Sequence, residues 1–220
     1  MFEIAPSILS ADFAKLGAEI RALEEGGAGL IHFDVMDGLF VPNITIGLPV
    51  LKSIRKETKL PIDCHLMIEN PHRYAVQFVE NGADMVSVHI EAEKHLQRTL
   101  TAIREAGGRA GIAVNPATSL VNLEDALPFA DYVVVMSVNP GFGGQKFISG
   151  SLDKVRRLRE MIESRNLTTK IEIDGGVDAG NIKKVIESGA EIIVAGSAVF
   201  SAESPSEGVR NLIEAGTHWV

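Results

Sequence analysis

Eight short β-prone runs alternate with helical stretches from end to end, and no other feature restricts the fold of this chain as strongly. The runs cover residues 3–9, 30–36, 62–67, 85–89, 110–114, 132–136, 170–174 and 192–195. Helices between them are expected to begin near Asp12, Leu48, Pro71, Leu96, Leu120, Ser151, Asn181 and Ser206. Several runs are almost entirely apolar, as parallel strands must be when helices cover the sheet. Eight units in 220 residues, about 27 residues each, fit a closed barrel better than an open doubly wound sheet. The expectation is an α/β protein, a single (β/α)8 TIM barrel forming one domain over residues 1–220.

A faint repeat agrees with this count. Gly27-Ala28-Gly29, Gly82-Ala83-Asp84, Ala130-Asp131 and Gly189-Ala190-Glu191 each precede an even-numbered run, two units apart. Gly27, Gly82 and Gly189 suit the left-handed position that ends a helix. Arg156, Arg157 and Arg159 lie near Glu160 and Glu163 on one helix, which reads as a solvated face with intrahelical pairs.

The second run, Leu30-Ile31-His32-Phe33-Asp34-Val35-Met36-Asp37-Gly38, breaks the apolar pattern. Side chains two apart on a strand share a face, so His32, Asp34 and Met36 point the same way. An imidazole and a carboxylate at that spacing can grip a metal ion, or can form a buried hydrogen-bonded pair. In a barrel the reactive groups come from the C-terminal ends of strands. Those ends carry Ser7, His32, Asp34, Met36, His65, Met67, His89, Asn115, Met136, Asp174 and Gly196. Two imidazoles, His32 and His65, and two carboxylates, Asp34 and Asp174, make a donor set suited to zinc, iron, cobalt or manganese. His89 has no matching partner in the sequence and reads as structural. His72, His95 and His218 fall in helical or terminal segments and read as surface residues. Cys64 precedes His65 and so faces the other way, as a packing residue.

Glycines form a second constellation. Asn139-Pro140-Gly141-Phe142-Gly143-Gly144-Gln145 follows the sixth run, Gly175-Gly176 the seventh and Gly196-Ser197 the eighth. Glycine lets backbone N–H groups approach an anion closely, and a short helix after the eighth strand would aim its positive end at a phosphate. The seventh and eighth clusters hold no Lys or Arg, so backbone dipoles are expected to do the binding. The loop over residues 138–149, with Phe142 and Phe147, could fold over a ligand and exclude water.

Composition removes several alternatives. A formal charge of −8 lacks the basic footprint of a nucleic-acid binder. No apolar run approaches a membrane span, and the N-terminus reads as a first strand rather than a signal peptide. One cysteine fits a reducing, cytoplasmic setting.

With these residues assembled, the chain resembles ribulose-phosphate 3-epimerases over essentially its full length. The resemblance rests on Ala5-Pro6-Ser7-Ile8-Leu9, on His32-Phe33-Asp34-Val35-Met36-Asp37-Gly38-Leu39-Phe40-Val41-Pro42-Asn43, and on Asp63-Cys64-His65-Leu66-Met67. It continues in Met136-Ser137-Val138-Asn139-Pro140-Gly141-Phe142-Gly143-Gly144-Gln145 and Asp174-Gly175-Gly176-Val177. It implies an isomerase of the pentose phosphate pathway that interconverts D-ribulose 5-phosphate and D-xylulose 5-phosphate. It implies one divalent ion, zinc foremost with iron, cobalt or manganese as alternatives, on His32, Asp34, His65 and Asp174. Asp34 and Asp174 would exchange protons with the substrate. Ser7, His65, Gly141, Phe142, Gly143, Gly144, Gly175, Gly176, Gly196 and Ser197 would contact it. Met36, Met67 and Met136 would shield the intermediate, although flexible core filling is the default role of Met. A homo-oligomer is also implied.

Three rivals compete with this reading. An epimerase acting on a hexulose 6-phosphate such as allulose 6-phosphate would differ only in pocket size. A phosphosugar decarboxylase of a related barrel would carry Asp-x-Lys-x-x-Asp, whereas Asp34-Val35-Met36-Asp37 has no lysine. A silent scaffold would be expected to have lost one of the four donors.

Overall fold

The computed structural model describes residues 2–217, so His218 lies outside the described residues. In chain order the regular elements are β1 (Glu3–Pro6), α1 (Leu16–Gly26), β2 (Ile31–Met36), α2 (Leu48–Ile54), β3 (Ile62–Met67), α3 (Ala75–Glu80), β4 (Met85–His89) and α4 (Leu96–Glu105). They continue as β5 (Arg109–Val114), β6 (Tyr132–Met136), α5 (Gly150–Ser164), β7 (Lys170–Asp174), α6 (Ile182–Glu187), β8 (Ile192–Ala195), α7 (Ser197–Phe200) and α8 (Pro205–Thr217). The strands pair in parallel in the order β1-β8-β7-β6-β5-β4-β3-β2. A parallel bridge between Ser7 and His32 brings β1 beside β2 and completes the circle. The expected TIM barrel is the fold observed.

Two expected elements differ. The strand expected over residues 3–9 stops at Pro6, because the Ser7 side chain accepts from the Leu9 amide and caps a 3-10 turn, Ile8–Ser10. The helix expected at Leu120 is replaced by two 3-10 turns, Leu120–Leu123 and Leu127–Phe129. Pro128, which has no N–H to give, prevents a longer helix there.

The strands sort their side chains by parity. Phe33, Cys64, Val133 and Ile171 face outward into the layer shared with the helices. Ala5, Leu30, Met85, Tyr132, Val134 and Ile192 pack inside the barrel. Barrel interiors are usually filled by branched apolar residues. This one also buries His32, Asp34, Asp63, His65, Ser87, His89 and Glu172. Gly111 on β5 makes room for the Tyr132 ring, which reaches Asp63 of that set: a Cβ there would lie 2.4 Å from Tyr132 Cζ.

The opposite rim of the barrel is built for stability. Arg55 bonds Asp84 at 2.8 Å, and the same carboxylate accepts the Ile62 amide. Arg104 bonds Asp131, which accepts the Ala110 amide at 2.7 Å. Arg159 pairs with Glu191, so this arginine reaches across to the end of the next repeat instead of forming an intrahelical pair. Arg156 does pair within its helix, with Asp153. Gly27, Gly82 and Gly189 all adopt positive φ, as expected from the repeat.

Candidate active site

Strand register assembles the donor set. In the β2–β3 pair, Asp34 lies beside His65 and Met36 beside Met67. In the β6–β7 pair, Met136 lies beside Asp174. Residues at matched positions of parallel strands share a face, so all of these point into the barrel near one end. His32 is one layer deeper, beside Asp63.

Four side chains converge there. His32 Nε2 stands 3.3 Å from Asp34 Oδ1 and 3.9 Å from Asp174 Oδ2. His65 Nδ1 stands 3.3 Å from Asp34 Oδ1 and 3.5 Å from Asp174 Oδ2. One donor atom from each of the four lies within 4.8 Å of all the others. His32 Nε2 and His65 Nδ1 are buried yet have no hydrogen-bond partner. An ion with ligands at about 2 Å in a tetrahedral array separates them by roughly 3.3 Å. The spacing, the donor chemistry and the two orphaned nitrogens therefore fit a divalent metal.

The far sides of both rings agree with that fit. His32 Nδ1 is 2.8 Å from Asp63 Oδ2, a carboxylate that can only accept, so the neutral ring places its proton on Nδ1 and leaves Nε2 free. His89 Nδ1 is 3.1 Å from Glu91 Oε2, which places the His89 proton there. His89 Nε2 then accepts from His65 Nε2 across 2.9 Å, so in the neutral ring His65 Nδ1 is the atom left free toward the site. His89 is therefore not the isolated structural residue expected; it supports His65. His72 and His95 are exposed, as expected.

The pocket also demands positive charge. Burial works against a charge on His65, but Asp174 and Asp34 overcome it and raise its pKa to about 9. Burial likewise opposes a charge on His32, and Asp34 with Asp63 and Glu172 raises it well above the ordinary value. Burial would push the Asp34 carboxyl up, but the charge of His32 and its contacts with both rings hold it far below the usual range. Protons or a cation can satisfy this field, so metal binding would displace protons. His89 is driven the other way, down to about 4, by burial.

Above the donors, Met36 and Met67 pack with Val41, and Leu9 and Phe40 complete the cluster. Met136 is buried on the opposite side. All three methionines line a cleft of about 540 Å³, counted out to its open mouth, together with Ser7, Asp34 and Asp174. Gly141, Gly143, Gly144, Gly175, Gly176 and Gly196 border the same cleft, with Ser197. Gly175 and Gly176 have φ of +122° and +66°, and a Cβ on Gly176 would lie 2.6 Å from the Phe147 backbone nitrogen. The Phe142 side chain is exposed at the rim, while Phe147 packs against the outer core and anchors its loop. Asn43 Nδ2 donates to the Gly141 carbonyl at 2.9 Å, tying the loop after β2 to the loop after β6.

Sequence reasoning overlooked Asp63, Tyr132, Glu172 and the His89–Glu91 pair. Reading only strand ends discarded the first three, although Asp63 and Glu172 lie two residues before His65 and Asp174 and so share their inward parity. Lys146, on the loop after β6, lines an adjoining cleft with Gly144, Gly176 and Ser197.

Comparison with known proteins places this geometry. The model of the ribulose-phosphate 3 epimerase family matches residues 3–200. The chain is 52% identical over 209 residues to the ribulose-phosphate 3-epimerase of Aquifex aeolicus (strain VF5), covering 95% of this chain and 94% of that protein. It is 54% identical over 213 residues to the enzyme of that name from Synechocystis sp. (strain ATCC 27184 / PCC 6803 / Kazusa), covering 94% and 93%. Among solved structures, a mutant tryptophan synthase alpha-subunit from Pyrococcus furiosus superposes with a TM-score of 0.74 at 17% identity, covering 97% of this chain and 100% of that one. At that identity the likeness concerns the barrel fold alone.

Proposed function

The chain belongs to the ribulose-phosphate 3-epimerase family, and from that premise we propose that it interconverts D-ribulose 5-phosphate and D-xylulose 5-phosphate by epimerisation at C3, a step of the pentose phosphate pathway. The observation that carries this reading is the meeting of Asp34 and Asp174 around two imidazoles whose free nitrogens face them.

Inverting a carbon beside a ketone requires removing its proton from one face and returning one to the other, and so two acid/base groups. Asp34 on β2 and Asp174 on β7 stand on separated strands of the barrel, with the mouth between them. Asp34 Oδ1 and Asp174 Oδ2 face the imidazoles, so Asp174 Oδ1 and Asp34 Oδ2, the latter also accepting from Ser7 Oγ, are the oxygens that serve the substrate. Asp34 takes the proton in one direction while Asp174 supplies its replacement, and the roles exchange in the other. His32, Asp34, His65 and Asp174 would hold one divalent ion, zinc first among candidates. That ion would supply Lewis-acid stabilisation of the negative charge that builds on the substrate oxygens.

The remaining residues bind and shield. Ser7 orients Asp34 and meets the sugar. Backbone amides of Gly144, Gly175, Gly176, Gly196 and Ser197 hold the phosphate, with Gly141, Phe142 and Gly143 closing above it. Met36, Met67 and Met136 form a dry, polarizable ceiling that keeps water from the enediolate.

The test is a coupled assay of D-ribulose 5-phosphate turnover on protein purified without chelator, with metal analysis of the same sample. Turnover lost on chelation and restored by Zn(II), Fe(II), Co(II) or Mn(II) is expected. Faster turnover of allulose 6-phosphate under identical conditions would reassign the substrate, and full activity without any metal would overturn the ligand set.

A further inference from the structure

Beneath the four donors lies a second buried layer that the reaction does not use directly. Asp63 Oδ2 faces His32 Nδ1 at 2.8 Å, and Tyr132 Oη donates to Asp63 Oδ1 at 2.5 Å. Glu172 Oε1 stands 3.2 Å from the same His32 nitrogen. Asp63, Glu172 and His32 are fully shielded from solvent, and Tyr132 almost so. Such a cluster is costly to bury and needs a reason to exist. Gly111 supplies the space for the Tyr132 ring, so the layer is built by five strands together: β2, β3, β5, β6 and β7.

We infer that Asp63 is a positioning residue that fixes His32 in its Nδ1-protonated tautomer, aiming the Nε2 lone pair at the metal, with Tyr132 holding Asp63 in place. The geometry leaves little alternative. A carboxylate offers only lone pairs, so a hydrogen bond to Asp63 exists only if Nδ1 carries a proton. The neutral ring then has one acceptor atom left, and it is the one that faces Asp34 and Asp174 without a partner. An imidazole oriented by a carboxylate on its far side binds metal more tightly, because the tautomer is chosen in advance and the ring is more basic. Tyr132 matters because Asp63 has a second oxygen; tied to the phenol, the carboxylate cannot rotate away from His32. The partner of His65 is a neutral imidazole, so the charged support falls on His32 alone.

This assignment rests on reading the four donors as a metal site, and the experiment separates the two. The probe is Zn(II), titrated against a chelating dye into apo parent, Asp63→Asn and Tyr132→Phe, with circular dichroism to confirm folding. Asp63→Asn is expected to weaken Zn(II) binding by about 10- to 100-fold. Tyr132→Phe is expected to weaken it less, in the same direction. Long-range proton–nitrogen NMR of the Zn(II)-loaded parent is expected to show His32 protonated at Nδ1 and metallated at Nε2, a signature that a purely structural role for Asp63 would not require. A folded Asp63→Asn that binds Zn(II) like the parent overturns the inference. So does an unprotonated His32 Nδ1 in the loaded parent, which decides the matter even if Asp63→Asn does not fold. A parent that binds no Zn(II) overturns the metal site itself, and this assignment with it.

Discussion

Ser7 Oγ donates to Asp34 Oδ2 across 2.5 Å, so the two oxygens of Asp34 are divided between a hydroxyl on one side and the imidazoles on the other. The bridge that seats Ser7 beside His32 also closes the barrel, so the same contact joins fold and site. Ser7→Ala should leave the donor set whole while freeing Asp34 to rotate. A hydrogen bond to a charged group contributes about 1.5–3 kcal/mol, so kcat should fall about 10- to 100-fold. Metal content should not change. Steady-state kinetics with metal analysis checks this, and loss of the metal would show that Ser7 supports binding rather than proton transfer.

Asp174 has the more open carboxylate of the pair. Asp174→Asn cannot carry a proton to and fro, and epimerisation should fall by about 10²- to 10⁴-fold or more. Inhibition by inorganic phosphate should persist, because the glycine loops are untouched. Substantial residual turnover would refute a scheme with two acids.

Met136 is buried beside Asp174 in the strand register. Met136→Leu nearly conserves volume and should alter stability by less than about 1.5 kcal/mol. Turnover should nevertheless fall several-fold, because leucine is less polarizable and fills the ceiling differently. Unchanged turnover in single leucine variants of Met36, Met67 and Met136 alike would retire the shielding role.

Gly144 and Gly176 offer a controlled pair. Both have positive φ, +72° and +66°, so alanine strains either backbone by about 1–2 kcal/mol. Only at Gly176 would the new Cβ also strike backbone, at Phe147 N and Gln145 O, whereas Gly144 has open space. Gly176→Ala should therefore raise KM by about tenfold or more and weaken phosphate inhibition, with a smaller change in Gly144→Ala. Equal effects would place the phosphate elsewhere.

Glu91 sets an acid limit on stability. Burial pushes its carboxyl up, but hydrogen bonds from His89, the Thr118 hydroxyl and the Asn115 amide outweigh that and hold it at about 2. In the unfolded chain it titrates near the ordinary Glu value of about 4.3. A depressed folded pKa gives stability that is present above the unfolded value and is lost as pH falls toward the folded one. The Tm of the apo protein should drop between pH 5 and about 2, and less steeply in Glu91→Gln. Parallel Tm–pH curves for the two proteins would rule Glu91 out as the source.

The alternation of apolar runs with helical stretches was enough to specify the barrel, because parallel strands and their helices declare themselves by local pattern. His32, Asp34, His65 and Asp174 were equally legible, as donor atoms at strand ends that should have been apolar. What local pattern does not contain is register. That His65 meets His89, that Asp63 faces His32 Nδ1 and that Tyr132 reaches across the barrel to Asp63 depend on which residues of neighbouring strands lie side by side and on the space left by Gly111. Residue types and their order determined which groups could do chemistry. Only closure of the sheet decided which partner each imidazole nitrogen faces, because a ring's weak tautomer preference is overridden by whatever group is placed against it.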